Sequence, residues 1–181
     1  LFWFCLMSHS SHAADNPWTF AGWYGGGMYP ALVADSKMEG RLYLASDVAG
    51  IWRSDDRGEH WIFSDDGLAN FNVAVLTVAP SNSDVLYAGT KKGMSRSDNA
   101  GQFWKNLNTP KNLTFNRPES YRSIYISDDD YDRVFVGSAS GDIFKTIDGG
   151  EHWTLLGNIG KSKAITAIVA NLDESKIFVA S

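Results

Sequence analysis

The sequence predicts an all-β protein, a β-propeller of four-stranded antiparallel blades with about three and a half blades present. Three observations carry this. An eight-residue phrase ending in tryptophan occurs three times. A pair of apolar, strand-like runs precedes each copy. No segment shows a helical pattern of useful length. The copies are Ser54-Asp55-Asp56-Arg57-Gly58-Glu59-His60-Trp61, Ser97-Asp98-Asn99-Ala100-Gly101-Gln102-Phe103-Trp104 and Thr146-Ile147-Asp148-Gly149-Gly150-Glu151-His152-Trp153. They begin at residues 54, 97 and 146, steps of 43 and 49. A repeat of roughly 40–50 residues is in the range of propeller blades.

In chain order, the first element is an apolar run, Leu1-Phe2-Trp3-Phe4-Cys5-Leu6-Met7, followed by small and polar residues ending Ser11-His12-Ala13-Ala14-Asp15. That order reads as the back half of a secretory signal peptide over residues 1–13, truncated at its start and cleaved after Ala13 or Ala14. The other reading is a buried N-terminal strand. The expected location is secreted, periplasmic or extracellular. Cys5 is the only cysteine, so a mature chain would have no disulfide framework and no thiol chemistry.

The repeat then follows unit by unit. The first strands are expected at Ala31–Ala34, Val73–Val78, Arg122–Ile126 and Ala164–Val169. The second strands are expected at Arg41–Ser46, Val85–Thr90, Arg133–Ser138 and Lys176–Ser181. Turn formers such as Pro80-Ser81-Asn82-Ser83-Asp84 and Asp128-Asp129-Asp130 separate the two. A short loop leads to a third strand, the repeated phrase turns the chain, and a fourth strand begins at the tryptophan. Blade one is expected over about 28–66, blade two over about 73–109 and blade three over about 121–157. A fourth, from residue 164, is cut off after its second strand. Propellers close with ~4–8 blades, so the rest of this propeller is expected outside the sequence, which reads as a fragment.

The residue types of the phrase suit a turn. Asp56, Asn99 and Asp148 can accept hydrogen bonds from nearby amides, as can the hydroxyls of Ser54, Ser97 and Thr146. Gly58, Gly101 and Gly150 suit a positive φ. Trp61, Trp104 and Trp153 can pack beneath the turn and between neighbouring sheets. Each would bury ~150–250 Å², roughly 4–6 kcal/mol before entropy is charged. The skeleton Ser/Thr-x-Asp/Asn-x-Gly-x-x-Trp resembles the Asp-box (BNR) repeat of β-propellers. In that family the boxes are structural and lie away from the active site. The resemblance covers about residues 18–181, and Asn99 departs from its usual aspartate.

Several polar residues read as structural on this basis. His60 and His152 occupy one repeat position in different blades. The Asp128-Asp129-Asp130 run lacks the spaced ligands and glycine of a calcium loop. No metal and no cofactor is expected. The net charge of −5 disfavours nucleic acid and anionic membrane partners. No later stretch approaches the ~20 apolar residues of a membrane helix.

Function is expected where the repeat is broken, on the face opposite the boxes. After the second strand, blade one has Ser46-Asp47-Val48-Ala49-Gly50, blade two Thr90-Lys91-Lys92-Gly93 and blade three Ser138-Ala139-Ser140-Gly141. Only blade one places a carboxylate directly after the closing hydroxyl, so Asp47 is the candidate catalytic residue. An ordinary turn aspartate is the other reading. The second break is Trp18…Trp23-Tyr24-Gly25-Gly26-Gly27-Met28-Tyr29, glycines between flat aromatic surfaces that suit sugar rings. Trp18, Trp23, Tyr24 and Tyr29 are the substrate-binding candidates. A fourth strand that closes the ring against the C-terminal blade is an alternative role for this segment.

These two stretches, with Leu42-Tyr43-Leu44-Ala45-Ser46-Asp47-Val48-Ala49-Gly50-Ile51-Trp52-Arg53, resemble the N-terminal part of glycoside hydrolase family 74 xyloglucanases. The resemblance implies two seven-bladed propellers around an open cleft and an inverting reaction that uses two aspartates. Asp47 matches one of them, and the family implies general base. The second would come from the other propeller, outside this sequence, so the chain alone would be inert. The family usually has glycine where this chain has Ala49. The expected partner is a polysaccharide or a protein ligand. The alternative function is a non-catalytic interaction propeller, such as an assembly factor or a sortilin-like recognition module. A sialidase fits less well: Arg41, Arg53, Arg117, Arg122 and Arg133 form no recognisable arginine triad.

Overall fold

The structure is a computed structural model of the chain. It describes residues 5–7, 18–20, 27–113, 115, 123–160, 164–171 and 173–181, with only the backbone described at 5–7 and 18–20. All of the regular structure described is β. Strands β1 (Cys5–Met7) and β2 (Trp18–Phe20) pair antiparallel, with Cys5 opposite Phe20. Part of the stretch read as a leader is therefore a strand here. Residues 18–20 pair with β1 and not with the C-terminal hairpin.

Blade one is β3 (Ala31–Ala34), β4 (Leu42–Ser46), β5 (Gly50–Ser54) and β6 (Ile62–Phe63), hydrogen-bonded in that order. Blade two is β7 (Val73–Val78), β8 (Leu86–Thr90), β9 (Gly93–Ser97) and β10 (Lys105–Asn106). Blade three is β11 (Ile124–Ile126), β12 (Val134–Gly137), β13 (Asp142–Thr146) and β14 (Thr154–Asn158). A hairpin of β15 (Ala167–Ala170) and β16 (Ile177–Ala180) follows. Every pairing within these sheets is antiparallel. The propeller fold class read from the repeat is the fold observed. The fourth strand of each blade starts one residue after the tryptophan, at Ile62, Lys105 and Thr154.

Alternation along the second strands explains how blades stack. Leu86 and Ala88 of β8 join Tyr43, Ala45, Ile51, Val73 and Trp104 in a core between blades one and two. Tyr87, between them in sequence, joins Met94, Leu113, Phe115, Ile124, Ile126 and Val136 in a core between blades two and three. Side chains of a strand point alternately to its two faces. A strand with a blade on each side is therefore apolar throughout, and all five residues of β8 are buried. The first strands neighbour one another in sequence, β3 with β7, β7 with β11 and β11 with β15.

The repeated phrase folds the same way three times. The Ser54 hydroxyl donates to Asp56 Oδ1 (2.8 Å) and accepts from the Gly58 amide (2.8 Å), while Asp56 Oδ1 accepts from the His60 amide (2.9 Å). The equivalent distances are 2.9, 2.9 and 2.9 Å around Ser97 and Asn99. Around Thr146 and Asp148 they are 2.7, 2.9 and 3.0 Å. Asn99 accepts as an aspartate would, so its departure from the pattern costs no bond. Two consecutive residues in each turn take a positive φ: Arg57 and Gly58, Ala100 and Gly101, Gly149 and Gly150. The amide of the first of each pair donates to its own blade's first turn, at Gly40, Asp84 and Asp132 (each 2.9 Å). The boxes and the first turns thus share one face.

In the second and third turns, the glycine of the second positive-φ position is also fixed by space. A Cβ on Gly101 would lie 2.4 Å from Ser64 Oγ, and one on Gly150 would lie 2.5 Å from Leu107 Cδ1. Ser64 and Leu107 are equivalent positions, each three residues after its own blade's tryptophan. They make different seams. Between blades one and two, Ser64 Oγ donates to Gly101 O (2.7 Å) and the Trp104 indole donates to Ser64 O (2.7 Å). Between blades two and three, Leu107 packs on the turn, and the Thr109 amide and hydroxyl occupy its carbonyl. The buried Trp153 indole N–H has no partner among the described residues. Trp104 is 1% exposed, whereas Trp61 and Trp153 are half-buried.

Candidate functional site

On the opposite face, the loops after the second strands share one device. The hydroxyl that closes the strand turns back to the loop amides. Ser46 Oγ accepts from Val48 and Ala49 (3.2 and 3.1 Å), Thr90 Oγ1 from Lys92 (3.1 Å), and Ser138 Oγ from Ser140 and Asp142 (3.2 and 3.0 Å). With the backbone set alike, the loops differ in what they present.

Blade one presents Asp47. Its amide donates to Met28 O (3.0 Å) and its Oδ1 accepts from the Met28 amide (2.8 Å), so the residue is clasped by the segment before β3. Gly27 makes this approach possible. It has φ +115°, and a Cβ there would meet Asp47 Oδ1 at 2.8 Å and Val48 Cγ2 at 2.9 Å. From the other side, Asn72 Nδ2 donates to Asp47 O at 2.5 Å. Asp47 is half-exposed, and its second carboxylate oxygen has no hydrogen-bond partner among the described residues. A carboxylate held in one position with one oxygen open can accept a proton or a hydroxyl hydrogen bond.

Blade three has a carboxylate in the same loop, but it is spent on structure. Asn158 Nδ2 donates to Asp142 Oδ1 (2.7 Å), and Ser140 Oγ and Asn112 Nδ2 donate to Oδ2 (2.8 and 2.9 Å). Burial alone would raise this carboxyl, but those three donors hold it below the usual range.

A second carboxylate borders the blade-one loop, and the sequence reading missed it. Asp65 follows β6, and its Oδ2 lies 2.6 Å from where a Cβ on Gly50 would stand. Burial, with the nearby charge of Asp66, pushes its carboxyl up despite a hydrogen bond from its own amide. The available signal was the Ser64-Asp65-Asp66-Gly67 stretch. It breaks the repeat after a fourth strand, whereas the reading compared only the loops after second strands. The next residues are tied to the same loop, since the Gly50 amide donates to Phe71 O (3.0 Å).

Of the aromatic candidates, Tyr29 is half-buried, next to Met28. Trp18 is the first residue of β2, opposite Met7, with only its backbone described. Trp23 and Tyr24 lie outside the described residues. The described structure therefore brings Asp47 together with Gly27 and Met28, and leaves Trp18 on a separate sheet.

The box histidines lie on the other face. His60 Nδ1 is 2.6 Å from Asp56 Oδ2, and His152 Nδ1 is 2.7 Å from Asp148 Oδ2. The His60 amide, its ring and the Ser54 hydroxyl lower the Asp56 carboxyl to about 2. The same set lowers Asp148 further. One ligand atom from each of Asp56, Glu59 and His60 falls within 4.8 Å of the others. The Asp-His pair recurs in blade three, as a structural turn requires. Asp129 and Asp130 are paired with Arg133 (3.8 and 3.1 Å), and Ser127 Oγ donates to Asp129. Among the described residues no helix is long and apolar enough to cross a membrane.

No protein-family model matches the chain. A xyloglucanase of Hypocrea jecorina (strain QM6a) is 23% identical over 145 residues, covering 70% of this chain and 17% of that protein. Among solved structures, an ancestral GH74 enzyme aligns with a TM-score of 0.72 at 21% identity, over 86% of this chain and 22% of that one. The GH74 enzyme of Niastella koreensis gives 0.70 at 21%, over 88% and 27%. YCF48 from Cyanidioschyzon merolae gives 0.53 at 16%, over 78% and 46%. The chain thus spans about a fifth to a quarter of the GH74 enzymes it resembles, and what it shares with all of these structures is the propeller fold.

Proposed function

We propose that this chain is part of an extracellular propeller that binds or hydrolyses a β-glucan of the xyloglucan type, with Asp47 as its working carboxylate. The observation that carries the reading is the Asp47 clasp. Among the described residues, the one closing-loop carboxylate without a structural set of donors is held by Met28 on one side and Asn72 on the other. The likeness to GH74 enzymes and to a xyloglucanase supports the substrate class. The three repeated turns belong to the Asp-box type in this reading, and they hold the scaffold.

In an inverting reaction two carboxyl groups stand ~6.5–9.5 Å apart. Asp47 in the base role takes a proton from the water that attacks the anomeric carbon. The acid that protonates the leaving oxygen comes from outside this chain. The chemistry needs no cofactor. The test is hydrolysis of xyloglucan by the protein and by its Asp47→Asn variant. Loss of turnover with retained folding supports the assignment, and equal turnover removes Asp47.

The likeness to YCF48 favours a second reading, a propeller that binds a ligand without chemistry, since fold alone does not assign chemistry. A protein that folds, hydrolyses no β-glucan and still depends on Asp47 for binding a ligand would select it.

A further inference from the structure

We infer that Phe71 is a stacking platform for a sugar ring of the glycan beside Asp47, an inference that rests on the function proposed above. Phe71 is 53% exposed, although it stands two residues before a strand whose first four residues are all buried. Its ring, on a connection between two blades, belongs to neither of the two core clusters. Its backbone is nevertheless held in place. Phe71 O accepts from the Gly50 amide (3.0 Å), at the end of the Asp47 loop. The next residue, Asn72, donates its side-chain N–H to Asp47 O and its carbonyl accepts from the Lys91 amide (3.3 Å). The backbone at Phe71 is therefore fixed relative to the Asp47 loop.

The exposed groups of the Asp47 clasp suit a sugar ring. Val48, 60% exposed, follows Asp47 in its loop, and Met28, 36% exposed, belongs to the segment that holds it. Apolar surface left open around a carboxylate that has one oxygen without a partner among the described residues matches a pyranose, whose C–H face is apolar and whose rim carries hydroxyls. A wholly apolar ligand would leave Asp47 without a partner; a cationic peptide would also stack on the ring, and the glycan is the occupant that follows from the function proposed above. Exposed apolar groups gathered at one place mark binding sites more often than scattered ones do. The aromatic signal in this chain is thus not confined to its N-terminal segment.

The test is binding of a xyloglucan heptasaccharide, followed by calorimetry, to wild type and to Phe71→Ala, Phe71→Leu and Phe71→Trp, with thermal unfolding of each. The inference predicts at least a ~10-fold loss of affinity for Ala and for Leu, near wild-type affinity for Trp, and unfolding temperatures within a few degrees of wild type, as expected for an exposed site. Wild-type affinity in Phe71→Ala would overturn it. Wild-type affinity in Phe71→Leu would also overturn it, because apolar cover without a flat ring would then suffice. A wild type that binds neither this oligosaccharide nor cellohexaose would sink the proposed function itself. That result is distinct from binding that ignores Phe71.

Discussion

The two faces of this propeller use the same kinds of residue for opposite ends. On the box face, the same hydroxyl and carboxylate or amide recur in each repeated turn and bond to one another and to the turn amides. Asp56, Asn99 and Asp148 make the same bonds within 0.1 Å to the turn amide four residues on. On the other face the backbone device is repeated but the side chains are not. Blade two offers lysines, blade three a carboxylate saturated by three donors, and blade one a carboxylate with one oxygen that has no partner among the described residues. Polar residues that are satisfied and repeated hold a fold. A polar residue that is positioned, singular and unsatisfied is available for a ligand.

The sharpest way to break this comparison is Trp104→Ala. Trp104 fills the first seam and donates to Ser64 O, so its loss should cost about 3–5 kcal/mol, measured by denaturant unfolding. Trp61→Ala, at a half-buried site, should cost clearly less. A stable Trp104→Ala protein that had lost its ligand would put function on the wrong face. The converse is Asp47→Asn. Turnover should fall at least ~10²-fold where the protein hydrolyses xyloglucan, with stability changed by less than ~1 kcal/mol. A large loss of stability instead would make Asp47 one more structural aspartate.

Acid unfolding sharpens the box side. Asp56 is lowered from 3.8 to about 2 in the folded state, and Asp148 is lowered as well. A depressed carboxyl contributes stability that is fully present above its unfolded value and is lost as the pH falls through the folded one. Wild type should therefore lose unfolding temperature between about pH 4 and pH 2. The Asp56→Asn/Asp148→Asn double variant, which copies Asn99 into the other blades, should show a flatter acid limb. Identical slopes would mean the histidine-aspartate pairs contribute nothing. The smallest effect is expected at Ala100, a buried residue with φ 55°. Ala100→Gly relieves a left-handed strain of ~1–2 kcal/mol but adds unfolded-state entropy, for a net gain below ~1 kcal/mol in thermal unfolding. A net loss would show that the methyl group's burial outweighs the strain.

Much of the scaffold could be read from the sequence because its causes are local. Period-two apolar runs placed β3, β7 and β8 to within a residue, and the box residues announce a turn because they bond to one another within four residues. Asp47 was visible because its neighbours in the repeat lack it. What was hidden depends on long-range partners. Met28 and Asn72, which hold Asp47, lie 19 and 25 residues from it. The difference between Trp104 and Trp153 goes with whether Ser64 or Leu107 stands across the seam, not with the phrase that contains them. Asp65 gains its environment only when the chain folds it onto Gly50; the Ser64-Asp65-Asp66-Gly67 stretch marks a break in the repeat without showing that contact.

The exchange of Ser64 for Leu107 gives the two seams different responses to temperature. Apolar burial weakens on cooling, whereas the first seam adds two directional bonds, from Ser64 to Gly101 and from Trp104 to Ser64, that do not depend on it. Elsewhere the second seam has polar ties of its own, from Tyr87 to Tyr131 O and from Arg96 to Asp132, so the difference is confined to the place beneath the box turn. Cooling should loosen the Leu107 contact around the Trp153 indole before it loosens the Ser64 contact around Trp104.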